Sequence, residues 1–244
     1  MHDQPIHHVN ELRKRFIWIL LVFVLSLLFG FLCAEPVLQQ IKAAPISQKI
    51  DWNVFAIGDA FHVYLKISLV IALAVTTPFA MYQVWKFVSP GLSRMEQRVT
   101  LLYIPFVFFL FVTGILFSYF LIFPTVFQFM TSFSERVGAS EVYGINQYFS
   151  FMFRLILPIG VVFELPLIIM FSTHLGLITP SKLKTSRKYA YICLLILAAM
   201  ITPPDIVSHI LVTTPLILLY EVSIVCSNIV YSKKLSYKSG NLPS

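Results

Sequence analysis

Few residues in this chain are suited to chemistry, and most of those are carboxylates in apolar or basic surroundings. Glu164 stands in Phe163-Glu164-Leu165-Pro166, inside a long apolar run. A carboxylate near the middle of a bilayer costs about 2.5–3.5 kcal/mol on insertion scales, so it must face other helices, water or a partner. Pro166 removes a backbone donor and is expected to kink the helix there. Two readings of Glu164 stay open on this chemistry: a functional site, or a structural hydrogen bond to a neighbouring helix. Glu221, in Tyr220-Glu221-Val222, admits the same two. Asp205 follows Pro203-Pro204 and suits the N-cap of the next helix. Glu11 and Glu96 each lie among basic residues. One reading is a local exposed ion pair worth under about 1 kcal/mol. The other is a rim that receives guanidinium groups, whose planar fork matches a carboxylate in a way that lysine cannot reproduce.

Other chemistry finds no support. The six histidines form no His-Glu-x-x-His pair, no Gly-rich phosphate loop occurs, and no serine sits in a Gly-x-Ser-x-Gly elbow. Cys33, Cys193 and Cys226 lie in or beside apolar runs without Cys-x-x-Cys or metal spacing, and read as packing residues. No catalytic residue, metal or cofactor is expected, and an enzyme is not expected.

The elements that position these carboxylates follow from composition. The chain has 244 residues, 58% hydrophobic and 12% charged, and includes 23 phenylalanines. Its mean hydropathy is +0.82. A soluble domain carries about 25% charged residues, so a bilayer is the solvent that fits. A span needs about 20 apolar residues. Apolar runs cover 16–34, 62–82, 99–123, 148–171, 189–202 and 206–226. The fifth, at about 14 residues, is short: either a re-entrant hairpin partner or a true span beside thinned bilayer. The polar start through Arg15 shows no small-residue cleavage site, so no cleavable signal peptide is expected.

Basic residues settle the sidedness. Arg13, Lys14 and Arg15 precede the first run, and Lys86, Arg94 and Arg98 separate the second from the third. Lys182, Lys184, Arg187 and Lys188 precede the fifth, and Lys233, Lys234 and Lys238 follow the sixth. The opposite side holds Lys42, Lys49 and Arg136, with Lys66 and Arg154 near span ends where long side chains snorkel. The positive-inside rule then gives six helices with both termini cytoplasmic, and Pro203-Pro204-Asp205 becomes the tight outer turn. The net charge of +7 is thus topological, and nucleic acid is not expected as a partner. The expected fold is all-α: a cytoplasmic segment over 1–15, a transmembrane domain over 16–226, and a disordered cytoplasmic tail over 227–244. Outer loops are expected over 35–61 and 125–147, the second broken at Gly138 and Gly144. No internal repeat is evident, so a proton- or ion-coupled transporter using Glu164 is the weaker alternative.

Five stretches, in order, resemble the TatC family of twin-arginine translocase receptors. They are His8-Val9-Asn10-Glu11-Leu12-Arg13-Lys14-Arg15; Ala44-Pro45; Tyr82-Gln83-Val84-Trp85-Lys86-Phe87-Val88-Ser89-Pro90-Gly91-Leu92 with Glu96 and Arg98; Phe163-Glu164-Leu165-Pro166; and Thr202-Pro203-Pro204-Asp205. The resemblance covers about residues 7 to 232. Asn10, Arg154 and His209 depart from the usual pattern. The resemblance implies a bent, concave bundle in the cytoplasmic membrane, with short fifth and sixth helices. It implies that Glu11 and Glu96 receive the arginines of Arg-Arg signal peptides on folded cargo, with Arg13, Phe87, Pro90 and Leu92 shaping the patch. Glu164 would polarise an intramembrane groove, Thr202 and Glu221 would lie where single-span TatA/TatB-type subunits dock, and Pro45 and Asp205 would be structural residues of the outer loops. Self-association in a multi-copy complex and drive by the proton-motive force are implied as well.

Overall fold

The computed structural model describes residues 4–45, 47–50, 52–138 and 142–240, all helical or in short connections apart from one isolated bridge between Asn53 and Gly144. The helices are α1 (Gln4–Leu32), α2 (Ala34–Lys42), α3 (Asp59–Val88), α4 (Arg94–Leu101), α5 (Tyr103–Phe117), α6 (Phe123–Val137), α7 (Ile145–Val162), α8 (Leu165–His174), α9 (Pro180–Thr185), α10 (Arg187–Ile201) and α11 (Ile206–Gly240). Among the described residues, five helical stretches are long and apolar enough to cross a membrane: Asn10–Leu32, Asp59–Gly91, Arg94–Arg136, Ile145–His174 and Ile206–Lys234. The short fifth run forms α10, of 15 residues.

The chain divides into two compact units, Met1–Gly91 with Ser134–Phe153, and Leu92–Phe133 with Arg154–Ser244. In the first, α1 packs along α3 so closely that a Cβ on Gly30 would lie 2.9 Å from the Ser68 carbonyl oxygen. The segment between α2 and α3 is tied down by polar contacts. Ser47 Oγ and Tyr148 Oη are 3.0 Å apart, and Trp52 meets the Tyr148 ring edge-on at 5.1 Å. The buried Asp59 carboxylate accepts the Phe55 and Ala56 N–H groups at 3.0 Å and Asn146 Nδ2 at 3.1 Å. Lys66, expected to snorkel, donates to Asn146 Oδ1 and Ser150 Oγ, each at 2.5 Å.

In the second unit, α5 and α7 approach through glycines: a Cβ on Gly114 would lie 2.9 Å from Gly160 Cα. Helix α8 packs on α11, where the Thr173 and Ser227 hydroxyls meet at 2.7 Å. It ends in a Schellman motif: Gly176 adopts φ +78°, with Leu177 N–H bonding Ser172 O and Gly176 N–H bonding Thr173 O, both at 3.0 Å.

Several boundaries differ from the hydropathy reading, each for a local reason. Helix α1 takes in residues 4–15, because the one proline there, Pro5, lies in its first turn, where no backbone donor is lost, and no breaker follows before Gly30. The third span does not stop at Phe123. A π-helical turn over Ser118–Ile122 passes directly into α6, which ends where Gly138 adopts φ +73°. Residues 125–137, expected as loop, are therefore helical. The expected kink at Pro166 is a full break at Phe163–Glu164. Glu164 N–H bonds Val161 O at 3.1 Å, an i→i−3 contact, and α8 restarts with Pro166 in its first turn, where its missing donor costs nothing. The sixth helix is not short. Helix α11 has 35 residues, continuing through 227–240 where a disordered tail over 227–244 was expected, because no breaker separates Cys226 from Gly240; residues 241–244 lie outside the described residues.

Candidate functional site

Glu96 is placed by the start of α4. Ser93 is the N-cap, with extended backbone, and its Oγ accepts the Glu96 N–H at 3.3 Å. Glu96 Oε2 accepts the Ser93 N–H at 3.1 Å and the Ser93 hydroxyl at 2.9 Å, completing a capping box. That leaves Oε1 turned outward, where Lys234 Nζ lies at 3.1 Å. The carboxylate is thus held in one orientation, partly exposed, at a helix N-terminus that favours negative charge. Leu92 is half-buried and its carbonyl accepts Gln97 Nε2 at 3.1 Å.

Glu11 belongs to the first unit, on α1. Its Oε1 is bonded by Arg15 Nη2, one turn on. Arg15 is the more buried partner; its Nη1 donates to the Gln83 carbonyl at 3.2 Å, and its guanidinium lies over the Phe87 ring at 5.8 Å. Glu11, Arg15, Trp18, Gln83 and Lys86 line an open hollow of about 550 Å3. Arg13 is exposed on the same helix, and Pro90 is exposed on the 3-10 turn Ser89–Gly91 after α3. Phe87, Pro90, Arg13 and Glu11 therefore lie in one unit and Leu92 and Glu96 in the other.

Glu164 occupies the break between α7 and α8 and is 6% exposed. Its Oε1 is buried and has no hydrogen-bond partner among the described residues, so this atom makes no structural bond. Its backbone carbonyl accepts the Leu167 and Ile168 N–H groups, so the residue serves the helix restart through its main chain. Glu221 has a different character. Its two oxygens accept Arg187 Nη2 at 2.6 Å and Tyr191 Oη at 2.5 Å, which clamps α11 to α10. Of the two readings open for Glu221, the internal bond is the one this geometry contains. Thr202 ends α10, buried, with its hydroxyl donating to Ala198 O at 2.9 Å. Asp205 Oδ1 accepts the Ser208 N–H at 2.7 Å, the geometry of an N-cap for α11. Pro45 is an exposed turn residue after α2.

Sequence reasoning missed Lys234 as a partner of Glu96 and assigned it to a disordered tail. The available signal was the unbroken helical stretch after Cys226, which places Lys234 seven residues, two turns, beyond Ser227 on the same face. It also missed the cluster of Asp59, Lys66, Asn146 and Ser150, for which only the acidic first turn of α3 gave a local cue. No group of three His, Cys, Asp or Glu residues able to hold a metal occurs among the described residues.

Comparison with known proteins gives the family. The model of the family described as Sec-independent protein translocase protein (TatC) matches residues 7–215. The chain is 45% identical over 226 residues to the Sec-independent protein translocase protein TatC of Halalkalibacterium halodurans, covering 93% of this chain and 89% of that one. It is 42% identical over 228 residues to TatCy of Bacillus subtilis, covering 93% and 90%. A crystal structure of the twin-arginine translocase receptor TatC superposes with a TM-score of 0.78 at 30% identity, covering 91% of this chain and 99% of that one. The apolar helices and these matches agree, and the chain belongs to the TatC family of multi-pass membrane proteins, the receptor subunit of twin-arginine, Sec-independent protein translocation and a transport component rather than an enzyme.

Proposed function

We propose that this receptor takes the Arg-Arg motif of signal peptides on folded cargo at Glu96 and Glu11, one guanidinium to each carboxylate. The observation that carries the reading is the state of Glu96: a capping box fixes its orientation, and its outward oxygen already holds a cation at 3.1 Å. A guanidinium replacing that cation is planar and more weakly hydrated than an ammonium, so it gives up less hydration to pair with the outward oxygen. Rim pairs in water are weak, so affinity requires the apolar stretch of the peptide as well. Arg13, Phe87, Pro90 and Leu92 border the two carboxylates in sequence and shape the entry, and the Glu164 carboxylate, with its unbonded Oε1, polarises the intramembrane path.

The same reading has six helices crossing the cytoplasmic membrane with both termini inside, supported by the basic residues that flank the spans. The short α10 makes a thin wall that deforms the adjacent bilayer. Single-span TatA/TatB-type subunits dock beside α10 and α11. Because the Thr202 hydroxyl already donates to Ala198, a partner group bonding it must be a donor. The Glu221 clamp keeps the two helices together as that surface forms. Transport is driven by the proton-motive force, in an assembly of several copies.

Photo-crosslinking of Arg-Arg and Lys-Lys signal peptides to membranes holding the protein tests this. Glu96→Ala is expected to insert normally and lose the Arg-Arg adduct. Equal crosslinking of the two peptides to the wild type would sink the receptor site.

A further inference from the structure

Both proposed receptor carboxylates already hold a cation of their own chain, but the two cations arrive differently. Arg15 is one helical turn from Glu11, an arrangement any exposed helix offers. Lys234 reaches Glu96 from the far end of the sequence, and a specific set of contacts delivers it. The Thr173–Ser227 hydroxyl pair at 2.7 Å sets α8 against α11. Two turns beyond Ser227, Lys234 Nζ donates to the His174 carbonyl at 2.5 Å, at the last residue of α8. His174 is itself held to α5 by a 3.0 Å contact between its Nδ1 and Tyr103 Oη. From that anchor the same ammonium reaches Glu96 Oε1 at 3.1 Å. Lys234 and Glu96 keep only 25% and 28% of their side-chain exposure, so this is a seated pair rather than a chance approach of two surface chains.

We propose that Lys234 is a resident competitor for the signal-peptide site, an internal cation that every incoming arginine must displace from Glu96. The inference rests on the reading of Glu96 as a receptor for a guanidinium. Oε2 is engaged by Ser93, so Oε1 is the oxygen through which an incoming cation gains most, and it is the one Lys234 covers. Displacement does not strand the lysine, because its bond to the His174 carbonyl survives. The consequence is a threshold. Any ligand that needs Oε1 binds only the fraction of molecules in which Lys234 has let go of that oxygen, so its apparent affinity falls by that fraction. The factor is common to all such ligands. Lys234 therefore leaves the ratio of Arg-Arg to Lys-Lys affinity unchanged while lifting both dissociation constants, so that at a given peptide concentration the weaker lysine ligand drops out first. A partly exposed ion pair sets the size of the effect at about two- to six-fold.

The experiment measures binding of fluorescent Arg-Arg and Lys-Lys signal peptides to the full chain in lipid nanodiscs, for wild type, Lys234→Gln, Lys234→Arg, Glu96→Gln and the Lys234→Gln/Glu96→Gln double variant. Thermal unfolding checks that each variant is folded. Lys234→Gln is expected to tighten both peptides by the same two- to six-fold, and Lys234→Arg, a stronger resident, to weaken both. In the Glu96→Gln background, Lys234→Gln should change neither affinity, which a merely structural role of Lys234 would not predict. Wild-type affinities for both peptides in Lys234→Gln, or a loss of both, overturn the competitor while a Glu96-dependent preference for Arg-Arg leaves the receptor reading standing. No preference for Arg-Arg in wild type, or full Arg-Arg affinity in Glu96→Gln, overturns the receptor reading at Glu96 and the competitor with it.

Discussion

Replacing Glu164 by leucine is expected to make the protein more stable and less able to transport. The carboxylate lies at the break between α7 and α8, 6% exposed, with Oε1 buried and unbonded. A buried polar atom left without a partner costs about 1–3 kcal/mol, and a carboxylate at mid-bilayer costs about 2.5–3.5 kcal/mol on insertion scales. The backbone bonds from Leu167 and Ile168 to the Glu164 carbonyl do not involve the side chain, so the helix restart survives the change. Leucine fills nearly the same space, and imperfect packing offsets under about 1.5 kcal/mol. The net expectation for Glu164→Leu is a gain of about 1–2 kcal/mol. Glu164→Gln, which keeps a polar group in the same surroundings, should fall between leucine and wild type. Reversible unfolding of purified protein in mixed micelles gives the stability, and export of a folded reporter with an Arg-Arg signal peptide gives the activity. A group that is costly to the fold and retained for function should raise the first and lower the second when removed. Destabilisation by more than about 1 kcal/mol would mean that the carboxylate makes a structural bond after all. Export at the wild-type rate would remove it from the transport path.

Two further outcomes follow from packing and sidedness. Gly30→Ala, whose Cβ would lie 2.9 Å from the Ser68 carbonyl oxygen, is expected to destabilise by about 1–3 kcal/mol in thermal or denaturant unfolding, whereas Gly91→Ala, with nothing within 4 Å, should leave stability unchanged. Single cysteines introduced at Ser93 and at Ser140, which lies outside the described residues, should react with impermeant maleimide from the cytoplasmic side and from the outside, respectively, and the reverse pattern would overturn the proposed orientation.

Much of the fold was legible because hydropathy is additive along the chain. The long apolar runs became the long helices, and the weak fifth run became the short α10. Helix ends were less legible. Residues 125–137 and 227–240 look too polar to span a bilayer, yet being unable to span is not being unable to coil, and each contains no breaker before Gly138 and Gly240. The capping box at Ser93–Glu96 was written in the order of those residues, although the carboxylates there were read for charge alone.

What the sequence by itself determined is therefore local or statistical: which segments are apolar, where basic residues flank them, which carboxylates lie among basic residues and which within an apolar run, and which motifs match the TatC family. Such features need only neighbouring residues, so no fold has to be known to read them. Partnership was decided by tertiary structure alone. Lys234 on Glu96, Arg187 and Tyr191 on Glu221, and Asn146 on Asp59 join groups far apart in the chain, and only the packing of α8 on α11, of α10 on α11 and of the start of α7 on α3 brings them within bonding distance. The same holds for the unbonded oxygen of Glu164. A carboxylate within an apolar run announces a penalty, but whether a neighbouring helix relieves it depends on which side chains face the break between α7 and α8.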